Sequence, residues 1–377
     1  MPVEPFKNLI GPQTVADAGL HLQRAWPAFD RRRFEALASD GLAALEFKAR
    51  AHHLCSALET TLPDDFSVAC DVIERSLGPA GVGDELASLR TTAAGLAGWV
   101  VWPLGEFVVR RGMHAPDRAL AALHALTQRF SAEYAVRPFI ATHPELTFAT
   151  LARWAHDPSA HVRRLASEGS RPRLPWGMQL KALIADPSPT LPLLRVLQHD
   201  PSEYVRRSVA NHLNDIAKDH PALVAAWVEQ HLPDAAQPLQ AMLRHASRTL
   251  IKKGDARMLT AWGLGQRLQG QARLALSPQR VAVGGSITLE VRLQSTSSRA
   301  QKLVIDYAVH HVKANGETSP KVFKGWVLDL GAGESRSLSK THSLRPITTR
   351  RYHAGRHAVE LRVNGEALAS AAFGLTL

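Results

Sequence analysis

The chain is expected to be mostly α: a solenoid of stacked helix pairs followed by an all-β sandwich. Three observations carry that expectation. One motif recurs, as DPSAHVRR at 157–164 and DPSEYVRR at 200–207, offset by 43 residues, with a degenerate copy SAEYAVRPF at 131–139. Beyond residue 271 the apolar spacing changes from helical to alternating. Charge changes at the same place: residues 271–377 carry 15 Lys and Arg against 7 Asp and Glu, a net +8, which leaves +3 of the total +11 for residues 1–270.

The first stretch, from 14 to about 77, has a helical pattern. Asp30 can cap a helix carrying Phe34 and Leu37, and Leu45, Leu54 and Leu58 suit a longer one. Residues 78–83 read as a loop, and WVVWP at 99–103 leads into packing residues at 106–111. Cys55 and Cys70 are the only cysteines and read as buried free thiols, while the neighbours His52 and His53 point in different directions on a helix. No metal site is expected.

The middle of the chain is repetitive. Asp157-Pro158 should open a helix with Val162, Leu165 and Ala166 on its apolar side, stopped by Gly169, Pro172 and Pro175, with Trp176 starting the next helix. In the second copy Asp200 should cap, Pro201 should take the first helical position and Glu203 should complete a capping box, ahead of the stripe Val205, Val209, Leu213, Ile216. Further helical runs lie at 178–185 and 191–198. Helix pairs repeating near 40 residues, with Asp-Pro openings, are the mark of a HEAT-like α-solenoid, whose inner helices line a concave groove.

The groove residues follow from the spacing. Tyr204, Arg207, Asn211 and Asp215 form one stripe, and the 43-residue offset places Arg164 and Glu168 on the same stripe one unit earlier, with Glu133 joining them if the degenerate copy is oriented alike. Residues 161–176, HVRRLASEGSRPRLPW, are the densest in chemistry. Arg137, Arg163, Arg164, Arg171, Arg173, Arg206 and Arg207, with Asn211, are the candidate contacts to a polyanion such as DNA. A surface built only to hold phosphates gains nothing from carboxylates, so these either tether the arginines or do chemistry.

From 271 onward, ITLEVRLQ (287–294), KLVIDYAVHHV (302–312), VFKGWVLDL (322–330), SRSLSKTH (335–342), HAVELRVNG (357–365) and LASAAFGLTL (368–377) alternate between turns. About seven short strands in about 105 residues predict an immunoglobulin-like sandwich. Asn364-Gly365 is a hairpin signal. Two domains are therefore expected, a helical one at 1–268 and a basic, DNA-clamping sandwich at 271–377 whose loop 345–356 offers Arg345, Arg350, Arg351 and Arg356. With 45% hydrophobic and 21% charged residues, no run of 18 uncharged apolar residues and no signal-peptide pattern at the start, a cytoplasmic globular protein without a membrane partner is expected.

The motifs KNLIG (7–11), FSAEYAVRPF (130–139), HVRRLASEGSRPRLPW and YVRRSVANHLNDIAKDHP (204–221) resemble those of the AlkC-type DNA alkylation repair glycosylases, HEAT-like relatives of the AlkD-type enzymes. The C-terminal module resembles the extra immunoglobulin-like domain of one branch of that family. The resemblance implies an active site on Glu133, Glu168, Trp176 and Asp215, release of 3-methyladenine and 3-methylcytosine from duplex DNA, no metal or other cofactor, and a monomer of the bacterial cytoplasm that joins the nucleoid through DNA. Residue chemistry is compatible with this: an N3-alkylated base is cationic and leaves without a strong general acid, so carboxylates need only stabilise an oxocarbenium-like sugar and direct water, while an indole face attracts a cation. No lysine lies inside the central motifs as a Schiff-base nucleophile, so no lyase step is expected. Two alternatives stand beside this reading, a non-enzymatic scaffold and a catalytically silent binder of damaged DNA. A scaffold would need apolar hot spots in the groove. Whether the base is flipped is left open.

Overall fold

The computed structural model describes residues 5–264, 266–347 and 350–377. Residues 1–4, 265, and Thr348 and Thr349 of the basic loop 345–356 lie outside the described residues. Among the described residues sixteen α-helices precede the strands: α1 (Pro12–Ala25), α2 (Arg31–Ser39), α3 (Phe47–Thr61), α4 (Phe66–Ser76), α5 (Val101–Gly112), α6 (Pro116–Thr127), α7 (Val136–Thr142), α8 (Pro144–Trp154), α9 (Ala160–Gly169), α10 (Lys181–Ala185), α11 (Leu191–Leu197), α12 (Glu203–Ile216), α13 (Pro221–His231), α14 (Gln237–Ala246), α15 (Arg248–Lys253) and α16 (Ala256–Ala261). Asp30 caps α2 by accepting from the Arg33 amide at 3.0 Å. Leu45 lies before α3 rather than on it.

Packing divides the chain into two compact units. One runs from the N-terminus to Asp219 and takes in Ala235–Ala246; the other comprises His220–Asp234 and Ser247–Leu377. The change from helix to strand falls between Ala261 and Gly270, so α13, α15 and α16 go with the strands in the second unit. In the first unit α12 packs on both α9 and α14. Val162, Leu165 and Ala166 of α9 and Val205, Val209 and Leu213 of α12 are wholly buried. At about 1.5–3 kcal/mol for each large apolar side chain, that burial holds the two motif-bearing helices in one register.

The two motif copies start differently from the expectation. Ser159 and Ser202, not the aspartates, stand at the N-cap positions, and the Ser202 hydroxyl accepts from the Val205 amide. Asp157 and Asp200 stand two residues earlier, each accepting from the serine amide, at 2.8 and 2.9 Å, as short aspartates do in turns. Their remaining lone pairs are thereby left for side chains. Trp176 starts no helix: residues 171–180 form an irregular segment containing Pro172 and Pro175, and helix resumes only at Lys181, which shortens the run expected over 178–185.

In the second unit β1 (Gly270–Ser277), β3 (Ser286–Ser295) and β6 (Ser335–Ser343) make a three-stranded antiparallel sheet in the order β1-β3-β6. A five-stranded sheet, β2-β8-β7-β4-β5, joins β2 (Arg280–Ala282), β4 (Gln301–Val312), β5 (Thr318–Leu330), β7 (Gly355–Val363) and β8 (Glu366–Thr376). Ile287 and Leu289 of the small sheet meet Tyr307, Val309, Val359 and Phe373 of the large one in a common core. Asn364 (φ 49°) and Gly365 (φ 84°) form the two-residue turn between β7 and β8, the positive φ values matching the right-handed twist of the paired strands. Among the described residues no helix is long and apolar enough to cross a membrane.

Candidate active site

The two arginines of each V-R-R motif face different tasks. The first turns back on its own helix start: Arg163 Nη1 donates to the carbonyls of Asp157 (2.8 Å) and Pro158 (2.9 Å), and Arg206 Nη1 donates to those of Asp200 (2.6 Å) and Pro201 (2.8 Å). Arg163 also grips Asp200 with two nitrogens at 2.6 and 3.0 Å, which ties one repeat to the next. Arg163 is thus spent on the scaffold rather than presented to DNA, and Arg206 is partly so.

The second arginine sits where the 43-residue offset predicts a stripe, but its surroundings differ between copies. Arg207 is 63% exposed and pairs with Glu203 on its own helix. Arg164, with only 14% of its side chain exposed, pairs with Glu133 at 2.8 Å, lies 3.7 Å from Glu168 and stands 4.9 Å above the Tyr204 ring. A buried cation between two acidic groups and an aromatic face is a structural partner of the carboxylates, not a free phosphate hook.

From Arg164 a chain of opposite charges runs across α9 and α12. Glu168 Oε1 accepts from Arg171 Nη1 at 2.6 Å; Arg171 donates through Nε and Nη2 to Asp215 Oδ2 at 2.9 and 2.8 Å; Lys218 Nζ donates to Asp215 Oδ1 at 2.8 Å. Ser208 donates to Glu168 Oε2 at 2.6 Å and Ser131 to Glu133 Oε2 at 2.8 Å. Glu168 and Asp215 are 5% and 2% exposed. Burial works against the charge of Glu168, but the guanidiniums of Arg164 and Arg171 and the Ser208 hydroxyl overcome it and hold the carboxyl below its ordinary range. The three expected carboxylates are thus gathered in one network with three cations.

Trp176 stands apart from that network, 65% exposed, at the tip of the irregular segment. Its φ is +65°, a left-handed conformation that a bulky residue adopts only when its surroundings impose it. Phe6 lies edge-on to it with ring centroids 5.9 Å apart, and from Phe6 an aromatic wall continues through Phe47, Trp99 and Trp102 to Tyr134, the neighbour of Glu133.

The remaining expected contacts divide by burial. Arg137 is wholly buried, and its guanidinium donates to the carbonyls of Gly169, Arg171 and Met178. Burial pushes its pKa down to about 10. Closed off from solvent, it is not presented to DNA as expected, and neither is Arg171, clasped between two buried carboxylates. Arg173 grips Asp219 through two nitrogens at the surface, and Asn211 meets His245 at 2.9 Å. Arg206, Arg207 and His245 line an open cavity of about 270 Å³ between α12 and α14.

In the second unit Arg345, Arg351 and Arg356 are exposed, whereas Arg350 turns inward, its Nη1 2.7 Å from His311 Nε2 and its guanidinium 6.0 Å from the Tyr352 ring. Among the described residues no group of three or more His, Cys, Asp or Glu is placed to hold a metal.

Sequence reasoning missed Ser131, Tyr204 as the cation–π partner, Ser208, Lys218 and Phe6. Lys218 was findable, being three residues beyond Asp215 on the same helical face. Ser131 stands two residues before Glu133 in the same loop, while Tyr204, Ser208 and Phe6 meet their partners only through packing of segments distant in the chain.

The family described as "DNA alkylation repair enzyme" matches residues 129–250, and that described as "Uncharacterised protein YhaZ, C-terminal Ig-like domain" matches residues 271–377. Uncharacterized protein YhaZ of Bacillus subtilis (strain 168) is 36% identical over 366 residues, 96% of either chain. The Pseudomonas fluorescens alkylpurine DNA glycosylase AlkC, solved bound to DNA containing an abasic site analog, is 36% identical with a TM-score of 0.89, over 98% of this chain and 99% of that one.

Proposed function

Because the chain belongs to the AlkC family of DNA alkylation repair enzymes, we propose that it is a monofunctional DNA glycosylase acting on duplex DNA, where it hydrolyses the N-glycosidic bond of cationic N3-alkylated bases, 3-methyladenine and 3-methylcytosine. The observation that carries this reading is the gathering of Glu133, Glu168 and Asp215 in one network spanning α9 and α12. A base already carrying positive charge needs no strong acid to leave, so the barrier lies in the charge that develops on the sugar. Oriented carboxylates in a site with little water stabilise such a cation far better than water does, because their alignment is settled before the reaction. Trp176 adds an exposed indole face for the cationic base or sugar.

In this reading Arg207, together with Arg206 and His245 beside it, holds the DNA backbone, while Arg164 and Arg171 keep the carboxylates ionised and aimed. We propose two working parts, a helical glycosylase domain at 1–268 and a DNA-holding sandwich at 271–377 with exposed Arg345, Arg351 and Arg356. The chain is read as a monomer of the cytoplasm, free of cofactors.

One observation favours a second reading. Every acid of the network is already matched by a cation, as in a purely structural brace, and this suits a silent binder of damaged DNA. Incubating the protein with duplex DNA containing methylated purines, and identifying the released base, tests the choice: release of 3-methyladenine supports the glycosylase, and tight binding without release supports the binder.

A further inference from the structure

We propose that Arg137 is a positioning residue for the turn that carries Trp176: its guanidinium fixes the backbone of residues 169–178 and thereby sets where the indole stands. This rests on the glycosylase reading above. Arg137 Nη1 donates to the Gly169 carbonyl (2.8 Å) and the Arg171 carbonyl (2.7 Å), and Nε and Nη2 both donate to the Met178 carbonyl (2.8 and 2.5 Å). The acceptors stand at the two ends of the irregular segment, where the chain leaves α9 and just before it enters α10. One planar fork therefore closes the segment like a staple.

Side chains anchor the segment through Arg171 and Arg173, but its backbone carries few bonds of its own. Pro172 and Pro175 have no N–H, and its own backbone bonds are Arg171 N to Glu168 O (3.3 Å), Gly177 N to Leu174 O (3.2 Å) and Leu180 N to Pro172 O (3.1 Å). Without Arg137, three carbonyls would lose their partner. The segment lies so close on the guanidinium that a Cβ on Gly177 would stand 3.3 Å from Arg137 Nε and 3.2 Å from Leu174 Cδ2. A left-handed tryptophan persists only when both flanks are over-determined, and the bonds to Arg171 and Met178 supply both flanks of Trp176. The acceptors span the width of the fork, which the single ammonium of a lysine cannot match.

The test uses the full-length chain with Arg137→Lys, Gly177→Ala, Trp176→Ala and the double variant R137K/W176A. Hydrogen exchange of the peptide covering 170–180 is expected to quicken about tenfold in R137K and in G177A, with the rest of the chain unchanged. Single-turnover release of 3-methyladenine at saturating protein is expected to fall roughly 10- to 100-fold in R137K, with affinity for undamaged duplex altered less than about threefold. In the W176A background R137K is expected to cost less than about threefold more, since what it positions is gone. Wild-type exchange across 170–180 in R137K would overturn the proposal, as would rate losses that multiply in the double variant, or a loss of salt-dependent DNA affinity that makes Arg137 a phosphate contact after all. Should R137K not fold, G177A perturbs the same contact from the other side, and wild-type exchange and rate in it would be equally fatal. If the unaltered protein releases no base, the glycosylase reading fails while the exchange measurement still decides whether Arg137 holds the turn.

Discussion

Glu168 and Asp215, on helices α9 and α12, share a single guanidinium: Arg171 donates to the first at 2.6 Å and to the second at 2.9 Å. Neither acid can move without breaking a charge-assisted bond, and removing either one leaves Arg171 a buried cation with half its partners.

Glu168→Gln and Asp215→Asn should each lower single-turnover base release by about 100-fold or more, with affinity for DNA unchanged or improved because a negative charge near the backbone is gone. The amides keep a hydrogen bond to Arg171, so the thermal midpoint should drop less than for Glu168→Ala. Near wild-type release by both variants would remove these carboxylates from the chemistry. Glu133→Gln should have a comparable or milder effect, since Arg164 and the Ser131 hydroxyl hold its position.

Arg207 and Arg164 should part company in a salt titration. The exposed Arg207, replaced by Ala, should weaken binding to damaged and undamaged duplex alike and flatten the plot of log K against log salt by about one unit. Arg164→Ala should leave that slope unchanged while lowering stability and rate, because its partners are Glu133, Glu168 and Tyr204. A reduced slope for Arg164→Ala would return it to the phosphate contacts.

Trp176 should show a trade between stability and activity. Its left-handed backbone costs about 1–2 kcal/mol, which glycine does not incur, so Trp176→Gly should be more stable than Trp176→Ala by roughly that amount. Both should lose base release by a similar factor, since neither carries an indole. Equal denaturant midpoints for the two variants would mean that the turn is unstrained.

Acid should loosen the sandwich before it affects the active-site acids. Burial lowers the pKa of His311 to about 3 and that of His342 to about 4, from 6.5. Both folded values are depressed, so below pH 6.5 the unfolded chain binds protons that the folded sandwich refuses, and stability falls from there towards pH 4. Between pH 7 and 5 each histidine should account for up to roughly 2 kcal/mol of that loss. His311→Gln and His342→Gln should each flatten the decline, read from urea midpoints at the two pH values. The contribution of Glu168 is lost in a lower window, since its folded pKa lies below the ordinary 4.5 and its stabilisation is complete above that value.

The DNA-holding role of the sandwich is best tested by charge rather than by truncation. The β7–β8 turn lies against Gly254 and Leu259, so deleting 271–377 would strip the face of α16. The triple variant Arg345→Ala, Arg351→Ala, Arg356→Ala should reduce the salt slope by up to about three units if each meets a phosphate. A fall in the saturating rate as well would show that the loop also keeps the DNA in its reactive shape. Unchanged affinity would assign these arginines to another partner.

What the sequence determined by itself is local and periodic. The 43-residue recurrence placed α9 and α12, apolar spacing picked out their buried faces, and alternation with Asn364-Gly365 marked the sandwich and its tightest turn, because those signals depend on residues a few positions apart. Helical spacing put Glu168 and Asp215, with Glu133, on one stripe, whereas their grouping with Trp176 as an active site came from long motifs. Tertiary structure decided what each charged side chain meets. Arg137, Arg163, Arg164 and Arg171 read along the chain as one basic class fit for phosphates, yet packing turned Arg137 onto carbonyls, Arg163 onto Asp200, Arg164 onto Glu133 of the turn before α7, and Arg171 onto Asp215 of α12. The reason lies in the side chain itself. An arginine spans several ångströms through rotatable bonds and satisfies a carbonyl, a carboxylate or a phosphate with the same fork, so its role is set by which acceptor the packed helices bring within reach, and no spacing along the chain encodes that.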